Sequence, residues 1–274
     1  MPEGDTIFRA AARMQQALAG GRVVRFATVL PALSRVDEDS PLAGRTIERV
    51  FSMGKHLLLE FSGELFLRTH MRMNGSWHLY RPGEKWRRRR DDMRIEIETP
   101  DYVAVGFAVP VAEFLTRREL ERQPDLRAIG PDLLGPTFDR EEAVRRVRAR
   151  GELEIAEALL NQRLIAGIGN VFKSEILFVA GINPFTKVAS LDEASLAEIV
   201  AVSERLLRWN AGESRGQEAR RERITTGRLD PRYQLWVYGR GGKPCQRCGT
   251  PINRVRQGRD ARSTYWCPSC QREP

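Results

Sequence analysis

All four cysteines of the chain fall in its last thirty residues, as Cys245-x2-Cys248, then eighteen residues, then Cys267-x2-Cys270. Each pair closes a tight knuckle, and two knuckles at this spacing present four thiolates to one tetrahedral zinc ion. Gly249 and Pro268 stand inside the knuckles, where the chain turns sharply. Two redox pairs or a disulfide staple are the alternatives. A staple needs an oxidising compartment, yet the opening residues carry Glu3, Asp5 and Arg9 and lack the continuous apolar run of a secretory signal. Four sulfur ligands leave no open position, so the expected cofactor is one structural Zn2+ ion. A zinc ribbon fixes how the end of the chain folds but names no reaction.

The 274 residues leave room for one large domain or two small ones. Hydrophobic residues at 41% and charged residues at 30% describe a soluble globular protein. Apolar runs such as Ile176 to Ile182 are far too short to cross a bilayer. A cytoplasmic protein without membrane attachment is expected. The net charge of +9 is concentrated: residues 201–274 hold sixteen Arg or Lys against seven Asp or Glu, and the remainder is neutral. Basic surface gains affinity by displacing counterions from phosphates, so a nucleic acid is the favoured partner.

The opening segment reads as a helix capped by Asp5, with Ile7, Ala10, Ala11, Met14 and Leu18 at helical spacing and Gly20-Gly21 ending it. From about 22 to 108 short β-type runs follow: Val23–Phe26, Leu57–Phe61, Leu65–Leu67, Ile95–Ile97 and Val103–Val105. Their spacing predicts a β-sandwich or barrel. Within this region Trp86 to Arg90 is a basic run followed by Asp91-Asp92; it reads as a solvated loop, with DNA contact as the alternative. Pro124, Gly130-Pro131 and Gly135-Pro136 suggest a linker. Capping boxes at Asp139–Glu142 and Ser190–Glu193 then open helices. Between them Ala166-Gly167-Ile168-Gly169-Asn170 joins helical runs over 153–164 and 171–180. The segment 211–231 reads as a mobile loop.

The start Met1-Pro2-Glu3-Gly4-Asp5 has chemical potential. Removal of Met1 would leave Pro2 with a free secondary amine. An α-amino group has a pKa near 8, so about a tenth or more is nucleophilic at neutral pH. Attack on a sugar C1′ would give an iminium directly, and Glu3 stands beside it as a general acid. A Met-Pro start with no catalytic meaning is the plain alternative.

These pieces combine with Gly54-Lys55-His56-Leu57-Leu58, Leu160-Asn161-Gln162 and the ending Val237-Tyr238-Gly239-Arg240 through Pro244-Cys245. Together, in order and over nearly the whole chain, they resemble the formamidopyrimidine-DNA glycosylase / endonuclease VIII family. The resemblance implies an α+β multidomain fold: an N-terminal catalytic β-sandwich domain over 1–123 flanked by helices, a linker over 124–138, a helical helix–two-turn–helix domain over 139–230 and a zinc finger over 231–274. DNA would lie in a basic cleft between the domains with the damaged base flipped out. It further implies a bifunctional DNA glycosylase and AP lyase of base-excision repair. Pro2 and Glu3 would be catalytic, with Lys55 and Arg262 contacting phosphate and assisting the β- and δ-eliminations. Met73 would fill the hole left by the flipped base, Asn170 would hold the phosphate near the lesion, and Cys245, Cys248, Cys267 and Cys270 would bind the zinc. Gly167 and Gly169 would let the backbone approach that phosphate.

Three departures point to the endonuclease VIII branch and oxidised pyrimidines: Glu3-Gly4-Asp5-Thr6 at the start, Phe107-Ala108-Val109-Pro110-Val111 without an Arg-x-Phe wedge, and Ile155-Ala156-Glu157 without a lysine. The rival readings are an 8-oxoguanine or formamidopyrimidine glycosylase, a non-catalytic damaged-DNA binding protein, and a zinc-ribbon transcription factor. The expected partner is damaged double-stranded DNA, and the resemblance implies a monomer associated with the nucleoid when bound. The 211–231 loop would touch the flipped base.

Overall fold

The computed structural model describes residues 2–212 and 223–272. Met1 and residues 213–222, the middle of the expected 211–231 loop, lie outside the described residues. The chain divides into two compact units, Met1–Ala128 and Ile129–Pro274.

The first unit contains α1 (Gly4–Leu18), β1 (Arg25–Thr28), α2 (Pro31–Asp39), β2 (Ile47–Met53), β3 (His56–Phe61), β4 (Leu65–His70), β5 (Ser76–Tyr80), β6 (Met93–Glu98), β7 (Val103–Phe107), β8 (Val111–Thr116) and the short helices α3 (Arg117–Arg122) and α4 (Pro124–Arg127). The strands form two antiparallel four-stranded sheets, ordered β1-β6-β7-β5 and β2-β3-β4-β8. One apolar core joins both sheets to α1: Ile7, Ala11, Met14 and Leu18 meet Leu57, Leu59, Phe61, Leu67, Ile95 and Ile97. The helical stripe is the one the sequence predicts, but the start differs. Glu3 is the N-cap, without a side-chain cap bond, and Asp5 sits inside the first turn.

Register decides which turns are neighbours. His56 pairs with His70, and His70 with Val111, in one sheet; Ser76 and Met93 both pair with Phe107 in the other. The Gly54-Lys55 hairpin, the 71–75 turn, the 108–110 connection and the close of the 81–92 connection therefore gather at one end of the sandwich. The opposite end carries Phe61, Leu65 and Thr116. At the 71–75 turn a side chain on Gly75 would have its Cβ 2.7 Å from the Met71 carbonyl oxygen, so only glycine closes it.

The second unit contains α5 (Arg140–Arg148), α6 (Ile155–Leu160), α7 (Asn170–Ala180), α8 (Glu193–Ala211), β9 (Asn253–Gln257) and β10 (Arg262–Trp266). Asp139 caps α5 as expected, its carboxylate accepting from Glu142 N at 2.9 Å. For α8 the cap is Asp192, which accepts from Ser195 N at 2.8 Å; Ser190 lies in a preceding 3-10 turn. Phe172, Ile176, Leu177 and Phe178 make α7 the buried axis of this unit.

The segment 124–138 is not a free tether. Leu126 is buried and Asp125 pairs with Arg68 in the first unit, whereas Gly130 N donates to Gln162 O at 2.9 Å and Leu133 and Leu134 are buried in the second. The described flank of the 211–231 segment is likewise anchored: Ile224 is buried and exchanges hydrogen bonds with the Asn210 side chain at 2.8 and 2.9 Å.

Candidate active site

In the first unit, α1 runs antiparallel to β2: Gly20 N donates to Ile47 O at 2.8 Å, and the Gln15 side chain accepts from Val50 N. From Gln15 back to Gly4 the helix climbs about 16 Å, and from Val50 to Met53 the strand extends about 10 Å before the Gly54-Lys55 turn reverses it. The start of the chain thus lies toward the end of the sandwich that carries the Gly54-Lys55 turn. Pro2 is half-buried there, and Glu3 and Asp5 are wholly buried. Asp5 pairs with Arg9 at 3.4 Å. Met73 lies at the tip of the 71–75 turn, 58% exposed, the placement of a side chain that projects from the sandwich end and not of a core methionine.

Beneath Lys55 lies a polar network that motif reading did not find. Arg68, nearly buried, donates from Nε to His56 Nδ1 at 3.3 Å and pairs with Glu113 at 2.7 Å and with Asp125. The His56 and His70 rings meet edge to face with centroids 4.8 Å apart, and His70 Nδ1 accepts from Arg72 N at 3.0 Å. Burial, then the Arg68 cation and His70, pushes the His56 imidazole down to about 3. Burial and the charges of Lys55, Arg72 and Arg68 lower His70 as well. Both rings are neutral supports for the Lys55 and Met73 turns. The available signal was that two of the chain's three histidines bracket paired strand ends.

In the second unit, the connection between α6 and α7 is built around Gln162. Its side chain donates to Leu160 O and Ile168 O, both at 3.0 Å, and accepts from Gly167 N at 3.1 Å. Gly167 takes φ 103, outside the reach of other residues, while Gly169 caps α7 in ordinary extended backbone. Asn170 opens α7 and is buried; its Nδ2 donates to Ser263 O at 2.9 Å. Its Oδ1 has no partner among the described residues. Lys173, one turn on, donates to Thr264 Oγ1 at 2.7 Å. Asn170 and the start of β10 are therefore brought together, and Arg262 stands next to Ser263. Arg262 lines a cavity of about 260 Å3 with Glu157, Asn161, Arg259 and Asp260, and its guanidinium lies 3.9 Å from Asp260. A second cavity of about 520 Å3 lies against α8, lined by Arg205, Arg208, Trp209, Ile224 and Thr226.

Glu175 anchors the approach to the finger. Its buried carboxylate accepts from Trp236 N, Val237 N and Tyr238 N at 2.8–2.9 Å and from the Thr225 hydroxyl. Burial raises this carboxyl above its ordinary range, against the pull of the four donors. A charge directly before the apolar run Ile176-Leu177-Phe178 was the sequence signal for such a partnered group. In the finger, the four cysteine sulfurs lie within 4.8 Å of one another, with Cys248 to Cys267 at 3.4 Å and Cys245 to Cys270 at 4.0 Å. A tetrahedral zinc with Zn–S near 2.3 Å would set its sulfurs about 3.8 Å apart, whereas a disulfide needs about 2.05 Å. The donor set fits one zinc ion.

Family models agree with this division of the chain. The formamidopyrimidine-DNA glycosylase N-terminal domain matches residues 1–108, the formamidopyrimidine-DNA glycosylase H2TH domain residues 129–217, and a zinc finger found in FPG and IleRS residues 242–272. A crystal structure of Lactococcus lactis Fpg with abasic-site DNA superposes with a TM-score of 0.82 at 23% identity, covering 99% of this chain and 100% of that one. Sheet unit, helical unit and four-cysteine finger thus define an Fpg-like fold. The probable endonuclease 8 2 of Streptomyces coelicolor is 41% identical over 100% of this chain and 95% of its own. The DNA-(apurinic or apyrimidinic site) lyase Nei2 of Mycolicibacterium smegmatis is 37% identical over 99% of both. The chain belongs to the formamidopyrimidine-DNA glycosylase / endonuclease VIII family.

Proposed function

We propose that this chain is a bifunctional DNA glycosylase and AP lyase of base-excision repair that binds damaged duplex DNA and removes oxidised pyrimidines. What supports the reading is that half-buried Pro2 and buried Glu3 open a helix whose start lies toward the sandwich end that carries the Lys55 hairpin and the exposed Met73. Once Met1 is removed, the Pro2 nitrogen attacks C1′ of the damaged nucleoside and the glycosidic bond breaks, with Glu3 moving protons at the opening sugar. The base leaves and the Pro2 iminium remains. The iminium acidifies the C2′ proton; its loss breaks the C3′–O bond and expels the 3′ phosphate. A second elimination from C4′ breaks the C5′–O bond and expels the 5′ phosphate. Lys55 and Arg262 neutralise phosphate charge in these steps, Asn170 holds the phosphate nearest the lesion, and Met73 fills the vacated stack. The four cysteines hold a zinc ion that fixes the finger and takes no part in bond breaking.

The pyrimidine assignment rests on the departures at 4–6, 107–111 and 155–157 and on the endonuclease 8 relatives. Duplexes carrying 5-hydroxyuracil, thymine glycol or 8-oxoguanine opposite cytosine test it. Single-turnover cleavage should be fastest on the two pyrimidines, and faster cleavage of 8-oxoguanine would overturn the assignment while leaving the lyase chemistry intact.

A further inference from the structure

The Trp86–Arg90 run has no part in the chemistry above, yet the fold does not leave it as loose solvated chain. The 81–92 connection crosses the outer face of the β1-β6-β7-β5 sheet and returns to the end that carries Lys55 and Met73. It is built throughout. Arg81 N donates to Glu84 Oε2 at 2.9 Å, Arg87 N to the Tyr80 hydroxyl at 3.1 Å, and Ala108 N to Asp92 O at 2.7 Å. Trp86 packs on Phe107 with centroids 5.6 Å apart, and the Arg90 guanidinium lies 4.9 Å over the Trp86 ring. Arg88 donates to Ser76 Oγ at 3.1 Å and lies 3.5 Å from Asn74 O, which joins the connection to the Met73 turn.

Residues 84–94 hold six basic side chains against three acidic ones, a local excess within residues 1–200, which are neutral overall. The side chains of Arg87 and Arg89 are 65% and 81% exposed, and their carboxylate partners, Glu84 at 3.8 Å and Asp91 at 3.1 Å, are surface groups. Solvent-exposed pairs of this kind are weak, so exchanging a carboxylate for a phosphate costs little. The positive field is felt locally: after burial, Arg88, Arg87 and Arg13 are what hold the His78 imidazole below its ordinary range. A backbone already held by these hydrogen bonds has less ordering entropy to lose on binding.

We propose that the Arg87–Arg90 ridge is a second phosphate-gripping surface, taking backbone phosphates of duplex DNA alongside the Met73 turn. The inference rests on the DNA reading above and adds a contact that carries affinity and registers the duplex without reading its sequence. Each phosphate neutralised contributes a slope of about −0.9 to log Kobs against log salt. Full-length R87A/R89A protein should bind both undamaged and abasic duplex about tenfold more weakly at low salt, with the slope shallower by about 2. R118A/R122A removes the same charge from exposed positions on α3, which follows Thr116 at the opposite end of the sandwich, and should keep the wild-type slope. An unchanged slope in R87A/R89A, or an equal fall in both variants, would overturn the proposal. A wild-type protein with no salt-dependent duplex binding would instead defeat the DNA reading itself.

Discussion

Single side chains at the sandwich end are set by burial and by their nearest charges. His56 is the clearest case, because its imidazole is desolvated and faced by the Arg68 guanidinium. In the unfolded chain this group takes a proton near pH 6.5; in the folded one it stays neutral down to about 3. The unfolded state therefore binds more protons throughout that window, and stability falls as pH drops. His56 alone should cost about 2 kcal/mol between pH 6.5 and 5. Urea unfolding at these two pH values should show it, and His56→Asn, which keeps an acceptor for Arg68 without titrating there, should flatten the dependence. Equal stability of the wild type at both pH values would contradict this account of the network.

At the scale of elements, the legible parts were those whose chemistry is local. The cysteine knuckles, the stripe Ile7-Ala11-Met14-Leu18, the Asp139 cap and the glycine-rich turn before Asn170 each declare themselves within a few residues. Strand β2 did not, because a register shift between Ile47 and Arg49 breaks its alternation. Helix α2 was hidden for another reason: Leu33 is its single buried residue, so it shows almost no apolar face. The α8 cap was misassigned to Ser190 because two acceptor residues lie two positions apart, and only backbone geometry selects Asp192. The polar partnerships of Arg68, Lys173 and Glu175 depend on pairings across 45 to 91 residues, which no window of sequence contains. Among elements, the β9–β10 hairpin depends most on something outside itself. Cys245→Ser should release the zinc, measured as metal content per chain, and weaken DNA binding by at least an order of magnitude, since structural zinc supplies folding free energy. The first unit should keep its thermal transition, because its core is complete without the finger. Unchanged DNA affinity in a zinc-free variant would contradict the structural role of the metal.

For the whole molecule, two separate units carry the two halves of the proposed chemistry. The first holds the Lys55 and Met73 turns at one end of its sandwich and Pro2 and Glu3 at the start of α1; the second holds Asn170 against Ser263, next to Arg262, across the seam between α7 and β10. Neither set includes both a nucleophile and the complete phosphate contacts, so the reaction requires the full chain. The central claim is that the Pro2 amine becomes covalently bound to DNA. Borohydride reduction during reaction with an abasic duplex, followed by peptide mapping, tests it most directly. The account predicts a trapped adduct on the peptide that begins at Pro2, abolished when Met1 is retained or when the amine is acetylated. An adduct on Lys55 or on another lysine, or cleavage without any trapped species from protein shown to lack Met1, would contradict it.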